Sequence, residues 1–201
     1  MATIPVPDVL PVVTPADDVA GAAQGQWTYI AYAAIPEDGR RYEVVEGTLY
    51  MAPAPGDIHQ AANAWFIYYL IAHVQVPGLG RVYGAPFDVR LGDGNVVQPD
   101  VLVILQSNLA RITPEGIYGP PDLVVEIVSP STATYDRDRK LHAYERSGVP
   151  EYWIVDPNAR TIEVFVAQQG IYRSLGVFQG GALIQSQVVP QFPVKVAQFF
   201  A

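Results

Sequence analysis

Glu126 is an acidic residue within an otherwise apolar run, "LVVEIVS", at positions 123–129. Side chains alternate between the two faces of a strand, so Val124, Glu126 and Val128 share one face and apolar residues fill the other. Burying a carboxylate costs several kcal/mol unless a partner compensates its charge. The run therefore predicts a buried strand whose acid is paired, either in a structural ion pair or in a site with a chemical role.

Asp100 is a second acid, and it stands directly before an apolar run in "QPDVLVIL". If this run and the Glu126 strand are neighbours, the two carboxylates can meet at one edge of a sheet. Carboxylates that close repel each other, which raises one pKa or recruits a cation. Mg²⁺ (or Mn²⁺) needs few protein oxygens, and Mg²⁺ keeps several waters. Two acids on adjacent strands suit such an ion.

Lys140 is one of two lysines in the chain and can supply a cation beside the two acids. A helix predicted over 135–147 follows the Glu126 strand, and i, i+4 spacing aligns Asp136, Lys140 and Tyr144 on one face. A cation beside an attacking water or a developing phosphate charge favours phosphodiester hydrolysis. A weak surface pair between Lys140 and Asp136 explains the same spacing equally well, so the local sequence leaves both interpretations open.

The elements that would position these residues form an α/β pattern. Hydrophobic patterns and turn residues predict helices at 27–34, 58–76, 135–147 and 194–200, and strands at 81–91, 96–105, 123–129 and in "PEYWIVDP", "TIEVFVA" and "IYRSLGVF". "RYEVVEGTLYMAP" is typical of a hairpin that turns at Glu46-Gly47. We therefore predict an α/β protein with an αβββαβ core and a mixed central sheet, extended by N- and C-terminal β-hairpins.

The composition favours one soluble domain preceded by a short arm. Half of the 201 residues are hydrophobic, whereas 1–24 are rich in Pro, Ala and Val and lack periodicity. We expect 1–24 to be a flexible arm and 25–201 to be one domain. The chain has no cysteine, which excludes disulfides and thiolate metal sites and favours a reducing compartment. Without a segment typical of a secretory signal or a membrane span, a cytoplasmic location is expected.

The formal net charge of −8 limits the kinds of partner. Tight, non-specific binding to nucleic acid relies on basic residues that neutralise phosphates, and this chain shows no basic cluster beyond "DRDRK". An acidic chain that acts on DNA therefore needs a local site with cations of its own.

Several longer motifs resemble a known group of proteins. "PD" at 99–100, "VVEIVSPST" and "YWIVD" resemble the restriction-endonuclease-like, or PD-(D/E)XK, superfamily. The long run "EIVSPSTATYDRDRKLHAYERSGVPEYWIVD", together with "RYEVVEGTLYMAPAPGDIHQ" upstream, resembles the Uma-two (Uma2) family of bacterial endonuclease-like proteins over roughly residues 27–200. The resemblance implies an αβββαβ core and a Mg²⁺-dependent nuclease-type site.

The resemblance also assigns residues. Asp100 matches the acid of the "PD" element and Glu126 matches the (D/E) position, so both would be metal ligands. Val128 stands where the superfamily usually has its lysine, and Lys140 from the following helix would take that place. Glu43 and His59 match upstream family positions and would line the same pocket. DNA is the substrate that the resemblance implies, and a homo-oligomer, a dimer in the simplest case, is expected.

Three hypotheses about function remain open at this point. The first is a metal-dependent endonuclease that hydrolyses DNA with Asp100, Glu126 and Lys140. The second is an endonuclease fold retained as an oligomeric binding or scaffold protein with little or no turnover, which the acidic charge and the displaced lysine favour. The third is a carboxylate-pair hydrolase of another substrate, such as a glycosidase, which Lys140 fits poorly.

Overall fold

The structure, a computed structural model, describes residues 13–201. Its strands are β1 Thr14–Pro15, β2 Arg41–Val45, β3 Thr48–Ala52, β4 Gly80–Gly84, β5 Val89–Gly92, β6 Asn95–Val97, β7 Val101–Leu105, β8 Ile112–Thr113, β9 Gly116–Tyr118, β10 Leu123–Ile127, β11 Glu151–Asp156, β12 Thr161–Gln168 and β13 Ile171–Gln179. Its α-helices are α1 Tyr29–Ala33, α2 Asp57–Leu70 and α3 Leu141–Arg146. Two π-helical segments, Ile71–Gln75 after α2 and Tyr135–Lys140 before α3, and two 3₁₀ segments, Gln106–Arg111 and Val196–Phe200, complete the elements.

The central sheet has the order β13-β12-β11-β10-β7-β4 among the described residues. It is mixed, because β10 and β11 run parallel while the remaining neighbours run antiparallel. The core elements occur along the chain in the order α2, β4, β7, β10, the helical stretch that ends in α3, and β11, with strands of the second sheet between them. The predicted αβββαβ core is thereby confirmed, and the C-terminal hairpin β12–β13 extends it.

The strand β10 lies in the middle of this sheet and is buried along its whole length. One face of the sheet packs against α2, where Phe66 and Leu70 contact the cluster that contains Val125. The other face carries Val124 and Val128, and these pack in the cluster that contains Tyr144 of α3. Alternation places Glu126 on this second face, so its carboxylate is directed toward the helix that carries Lys140.

A second sheet has the order β1-β3-β2-β6-β5-β9-β8 within residues 13–201. The N-terminal hairpin β2–β3 belongs to this sheet and is joined to β6 by the pair Val44↔Val96. The residues of β2 are largely buried, including Glu43. This sheet therefore brings an acid from early in the chain toward the central sheet.

The single strands predicted at 81–91 and 96–105 are wrong, because each run divides between the two sheets. The first run forms β4 and β5, and the second forms β6 and β7. Pro86 and Pro99 lie in the two breaks, and proline cannot donate the N–H that a sheet ladder needs. The second break positions Asp100 directly before β7, where the chain passes from one sheet to the other.

Part of the predicted arm packs on the rest of the chain. The strand β1 pairs with β3, and the N–H of Ala16 donates to the carbonyl of Leu49 at 2.9 Å. Residues 1–12 lie outside the described residues, so the division into an arm at 1–24 and a domain at 25–201 stays a prediction. Among residues 13–201, the helices lack the combination of length and apolar character that crossing a membrane would require.

Candidate active site

A pocket of about 310 Å³ lies where the two sheets meet the start of the π-helical segment Tyr135–Lys140. We call it the junction pocket. Its charged or titratable lining residues come from both sheets and from both long helical stretches: Arg41, Glu43, His59, Asp100, Glu126, Tyr135, Asp136 and Lys140. The structure thus brings together every residue that the sequence and the family resemblance proposed for the site.

Glu126 obtains its partners from the helix that follows its strand. Its Oε1 accepts hydrogen bonds from Nζ of Lys140 at 2.8 Å and from the hydroxyl of Tyr144 at 2.6 Å. Burial raises the pKa of Glu126 well above its ordinary range, while the charge of Lys140 opposes that rise. The acid is buried and paired, as the apolar strand predicted.

Lys140 is bound by more than one carboxylate. Besides Glu126, its Nζ lies 2.9 Å from Oε1 of Glu43 and 4.0 Å from Oδ1 of Asp136. Burial alone would lower the pKa of Lys140, but the carboxylates outweigh this effect and raise it, so the ammonium stays charged. The lysine side chain is 5% exposed. Of the two interpretations left open, the structure therefore shows a buried lysine rather than a surface pair with Asp136.

Glu43 links β2 of the second sheet to Lys140 and to the segment that precedes β7. Its Oε1 contacts Lys140 and also accepts the backbone N–H of Gln98 at 2.7 Å. Gln98 stands two residues before Asp100, so this bond holds the break between β6 and β7 in place. Glu43 therefore fixes both the lysine and the segment that carries Asp100.

Asp100 is held against the strand of Glu126 by its own side chain. Its Oδ2 accepts the backbone N–H of Ile127 at 2.8 Å and lies 3.0 Å from Nε2 of His59. A protonated Nε2 donates to this carboxylate, which leaves Nδ1 of His59 buried without a partner among residues 13–201. His59, in the first turns of α2, therefore orients Asp100.

Asp136 is an additional acid of the junction pocket. It is buried one helical turn before Lys140, and burial raises its pKa to about 7. The charge of Lys140 and a hydrogen bond from Thr132 act in the opposite direction. This carboxyl therefore titrates close to neutral pH.

Two carboxylate oxygens of the pocket have no hydrogen-bond partner among the described residues. Oδ1 of Asp100 and Oε2 of Glu126 accept no hydrogen bond from any described residue, while the other oxygen of each carboxylate is engaged. Within residues 13–201 no cluster of three or more His, Cys, Asp or Glu side chains has metal-site geometry. Two carboxylates suit Mg²⁺, which keeps several of its waters, and do not complete the tetrahedral site of Zn²⁺.

Two contributions to the site were absent from the sequence-based prediction. Gln98 and Arg41 line the pocket, and Nε of Arg41 donates to Oε1 of Gln98 at 3.2 Å. For Gln98 the sequence did contain a signal, because this residue stands directly before "PD", where a proline interrupts the predicted strand. Val128, which the resemblance places at the usual lysine position of the superfamily, is buried in the apolar cluster that contains Tyr144.

The αβββαβ core and the second sheet define the chain as a mixed α/β protein. The fold is similar to that of a crystal structure from Anabaena variabilis ATCC 29413, described as a "putative nuclease belonging to DUF820". The two share 23% sequence identity and a TM-score of 0.71, over 86% of this chain and 97% of that one. Residues 29–197 match the Uma2 family model, described as "Putative restriction endonuclease", and the chain belongs to that family. A comparison with curated proteins finds no match.

Proposed function

We propose that this protein is a metal-dependent endonuclease that hydrolyses phosphodiester bonds of DNA. The observation that carries the proposal is the convergence of Asp100, Glu126 and Lys140 in one pocket, with Nζ of Lys140 2.8 Å from Glu126 and Asp100 bonded to the N–H that follows Glu126. Membership of the Uma2 family supports a nuclease-like activity.

Asp100 and Glu126 would hold the ion, Mg²⁺ or Mn²⁺, through Oδ1 and Oε2. The bound ion would supply Lewis acidity toward a phosphoryl oxygen and a bound water of lowered pKa. The chain keeps both ligands in place before an ion arrives, because Tyr144 and Lys140 fix Glu126 while His59 and Ile127 fix Asp100. Hydrogen bonds that hold metal-binding carboxylates in position raise metal affinity.

Lys140 would orient the attacking water and stabilise negative charge as phosphorus becomes five-coordinate. An ammonium has three N–H donors, and two of them are directed to Glu126 and Glu43. The third donor remains for a water or a phosphate oxygen in the pocket. Because the pKa of Lys140 is raised by the neighbouring carboxylates, the ammonium is charged at neutral pH.

A plasmid-nicking assay tests this proposal. Wild-type protein is incubated with supercoiled plasmid in Mg²⁺, in Mn²⁺ and in EDTA, and nicking is expected with either metal only. Asp100→Asn, Glu126→Gln and Lys140→Met should each lower the rate by at least about 100-fold. Asp138→Asn, which changes an exposed acid of the same helical segment, is the matched control and should nick normally. If wild type and Glu126→Gln nick the plasmid at equal rates, the nuclease proposal is wrong.

A second candidate is an endonuclease fold that serves as an oligomeric scaffold with little turnover. It is favoured by the engagement of Lys140 with two carboxylates and by the net charge of −8. A Mn²⁺-induced rise in melting temperature that Asp100→Asn removes would support the metal site and the first candidate. Absence of any rise would favour the scaffold.

The same proposal includes a cytoplasmic homodimer. The helix α2 exposes large apolar side chains, including Ile58 and Tyr68, which are 54% and 58% exposed in the single chain. Sedimentation velocity at micromolar concentration should give the mass of two chains. A single species of 21.9 kDa would contradict the dimer.

A further inference from the structure

Arg41 is a cation of the junction pocket that pairs with no carboxylate among residues 13–201. Both of its side-chain hydrogen bonds go to Gln98: Nε donates to Oε1 at 3.2 Å and Nη2 donates to the backbone carbonyl at 3.3 Å. Lys140, in contrast, lies within 2.9 Å of two carboxylates. Arg41 is half-buried at the start of β2 and therefore reaches the pocket from the side of the second sheet.

Gln98 holds the guanidinium of Arg41 in a defined orientation. Its backbone N–H donates to Glu43 at 2.7 Å, and its side-chain Nε2 donates to Oδ1 of Asp88 at 2.8 Å. Because Nε2 is directed to Asp88, the amide oxygen is directed to Arg41. A chain of contacts therefore runs from Lys140 through Glu43 and Gln98 to Arg41, and it places the two cations of the pocket relative to each other.

Three of the five guanidinium donors of Arg41, including both on Nη1, have no hydrogen-bond partner in the described part of the chain. A planar guanidinium matches the spacing of phosphate oxygens and binds them bidentately. Among the charged residues that line the pocket, the four acids Glu43, Asp100, Glu126 and Asp136 outnumber the two cations, and Lys140 is already engaged by carboxylates. An anionic substrate therefore needs a second protein cation, and Arg41 has donors available.

We propose that Arg41 is a substrate-binding residue that contacts a non-bridging phosphate oxygen of the DNA strand. This inference rests on the proposed nuclease function and names the group that recognises the phosphate. The competing role is structural, in which Arg41 only ties β2 to the segment of Gln98.

Plasmid cleavage by Arg41→Met and Arg41→Lys separates these two roles. Loss of the phosphate contact should lower kcat/KM of Arg41→Met by about 10- to 100-fold, mainly through KM, and Arg41→Lys should restore part of it. The Mn²⁺-induced shift of melting temperature should stay as in wild type, because Arg41 is not a metal ligand. Arg81→Met, which removes an exposed arginine on β4 outside the pocket, should cleave normally.

A binding measurement that needs no turnover makes the inference independent of cleavage. Thymidine 3′,5′-bisphosphate is titrated by calorimetry in the presence of Ca²⁺, and Arg41→Met should bind it at least about 10-fold more weakly than wild type. If wild type binds the probe through Arg41 but nicks no plasmid, the phosphate site stands and the nuclease proposal fails.

If Arg41→Met keeps the kcat/KM of wild type and binds the probe as tightly as wild type does, the inference about Arg41 is wrong. That result leaves the nuclease proposal unaffected. If Arg41 is only structural, Arg41→Met should lower the melting temperature of the metal-free protein and leave KM unchanged. That result would also contradict the inference about Arg41. A wild-type protein that neither binds the probe nor nicks DNA would overturn both proposals.

Discussion

Nζ of Lys140 lies 2.8 Å from Oε1 of Glu126, in an ion pair that joins the central strand β10 to the helical stretch packed upon it. Both side chains are about 95% buried. The pair is therefore shielded from solvent, and each charge depends on the other. Stability, pH dependence and metal binding should all respond to changes at this contact.

Removing one partner of this pair should be costly. Lys140→Met leaves buried carboxylates without their cation, so the free energy of unfolding should fall by about 3–5 kcal/mol, measured by urea denaturation. The double variant Lys140→Met/Glu126→Gln should recover part of this loss. Arg137→Met, which breaks an exposed pair with Glu163, should cost less than about 1 kcal/mol. Equal losses in Lys140→Met and Arg137→Met would contradict the buried pair.

Stability should depend on pH through Asp136. Its folded-state pKa of about 7 lies above the ordinary value of 3.8, so between these values the folded chain keeps a proton that the unfolded chain has lost. The free energy of unfolding should therefore decrease as pH rises from about 4 to 7, by at most about 1.4 kcal/mol per pH unit for this group.

Urea denaturation at several pH values measures this slope. Asp136→Asn should reduce the slope but not abolish it, because burial also raises the pKa of Glu126. Asp138→Asn changes an exposed neighbour and should keep the wild-type slope. If Asp136→Asn keeps the full wild-type dependence of the free energy of unfolding on pH, groups other than Asp136 cause it.

His59 should act on metal affinity through Asp100. Its Nε2 lies 3.0 Å from the Asp100 carboxylate, and loss of such an orienting contact weakens metal binding by about 10- to 100-fold. His59→Ala should therefore raise the Mn²⁺ concentration needed for half of the maximal rise in melting temperature. His142→Ala, at an exposed histidine of α3, is the control. Identical Mn²⁺ titrations for the two variants would exclude the orienting role.

Glu151 should contribute to the free energy of unfolding but not to the rate of plasmid nicking. This buried carboxylate accepts hydrogen bonds from Nε1 of Trp153 at 2.6 Å and from the backbone N–H groups of Gln187 and Val188 at 2.7 and 3.0 Å. Glu151→Gln should lower the free energy of unfolding by about 1.5–3 kcal/mol and leave the rate of plasmid nicking unchanged. Loss of nicking in a folded Glu151→Gln protein would show that the site extends to this strand.

The central strand and its helix could be predicted from local patterns. Alternation around Glu126 and i, i+4 spacing from Asp136 through Lys140 to Tyr144 describe neighbours that are close in sequence. Those patterns identified a buried acid and a helical face, and the structure shows that they meet. The ligand roles of Asp100 and Glu126 came from the family resemblance, the role of Lys140 was also argued from its helical spacing, and all three stay predictions.

The second sheet could not be predicted from local patterns. The contact between Glu43 and Gln98 spans 55 positions, and strand periodicity does not determine which strands pair over such a distance. Pro86 and Pro99 were the local signals that the runs at 81–91 and 96–105 divide. The place of Arg41 in the pocket could not be predicted for the same reason, because it depends on hydrogen bonds to the distant Gln98.

The most direct measurement is a crystal structure with Mn²⁺, whose anomalous signal locates the ion. We expect one strong peak about 2.1 Å from Oδ1 of Asp100 and from Oε2 of Glu126, with Lys140 still bound to Glu126. The peak should disappear in Asp100→Asn crystals. A peak at another site, or Mn²⁺-soaked crystals with no signal at this carboxylate pair, would contradict the metal-dependent mechanism.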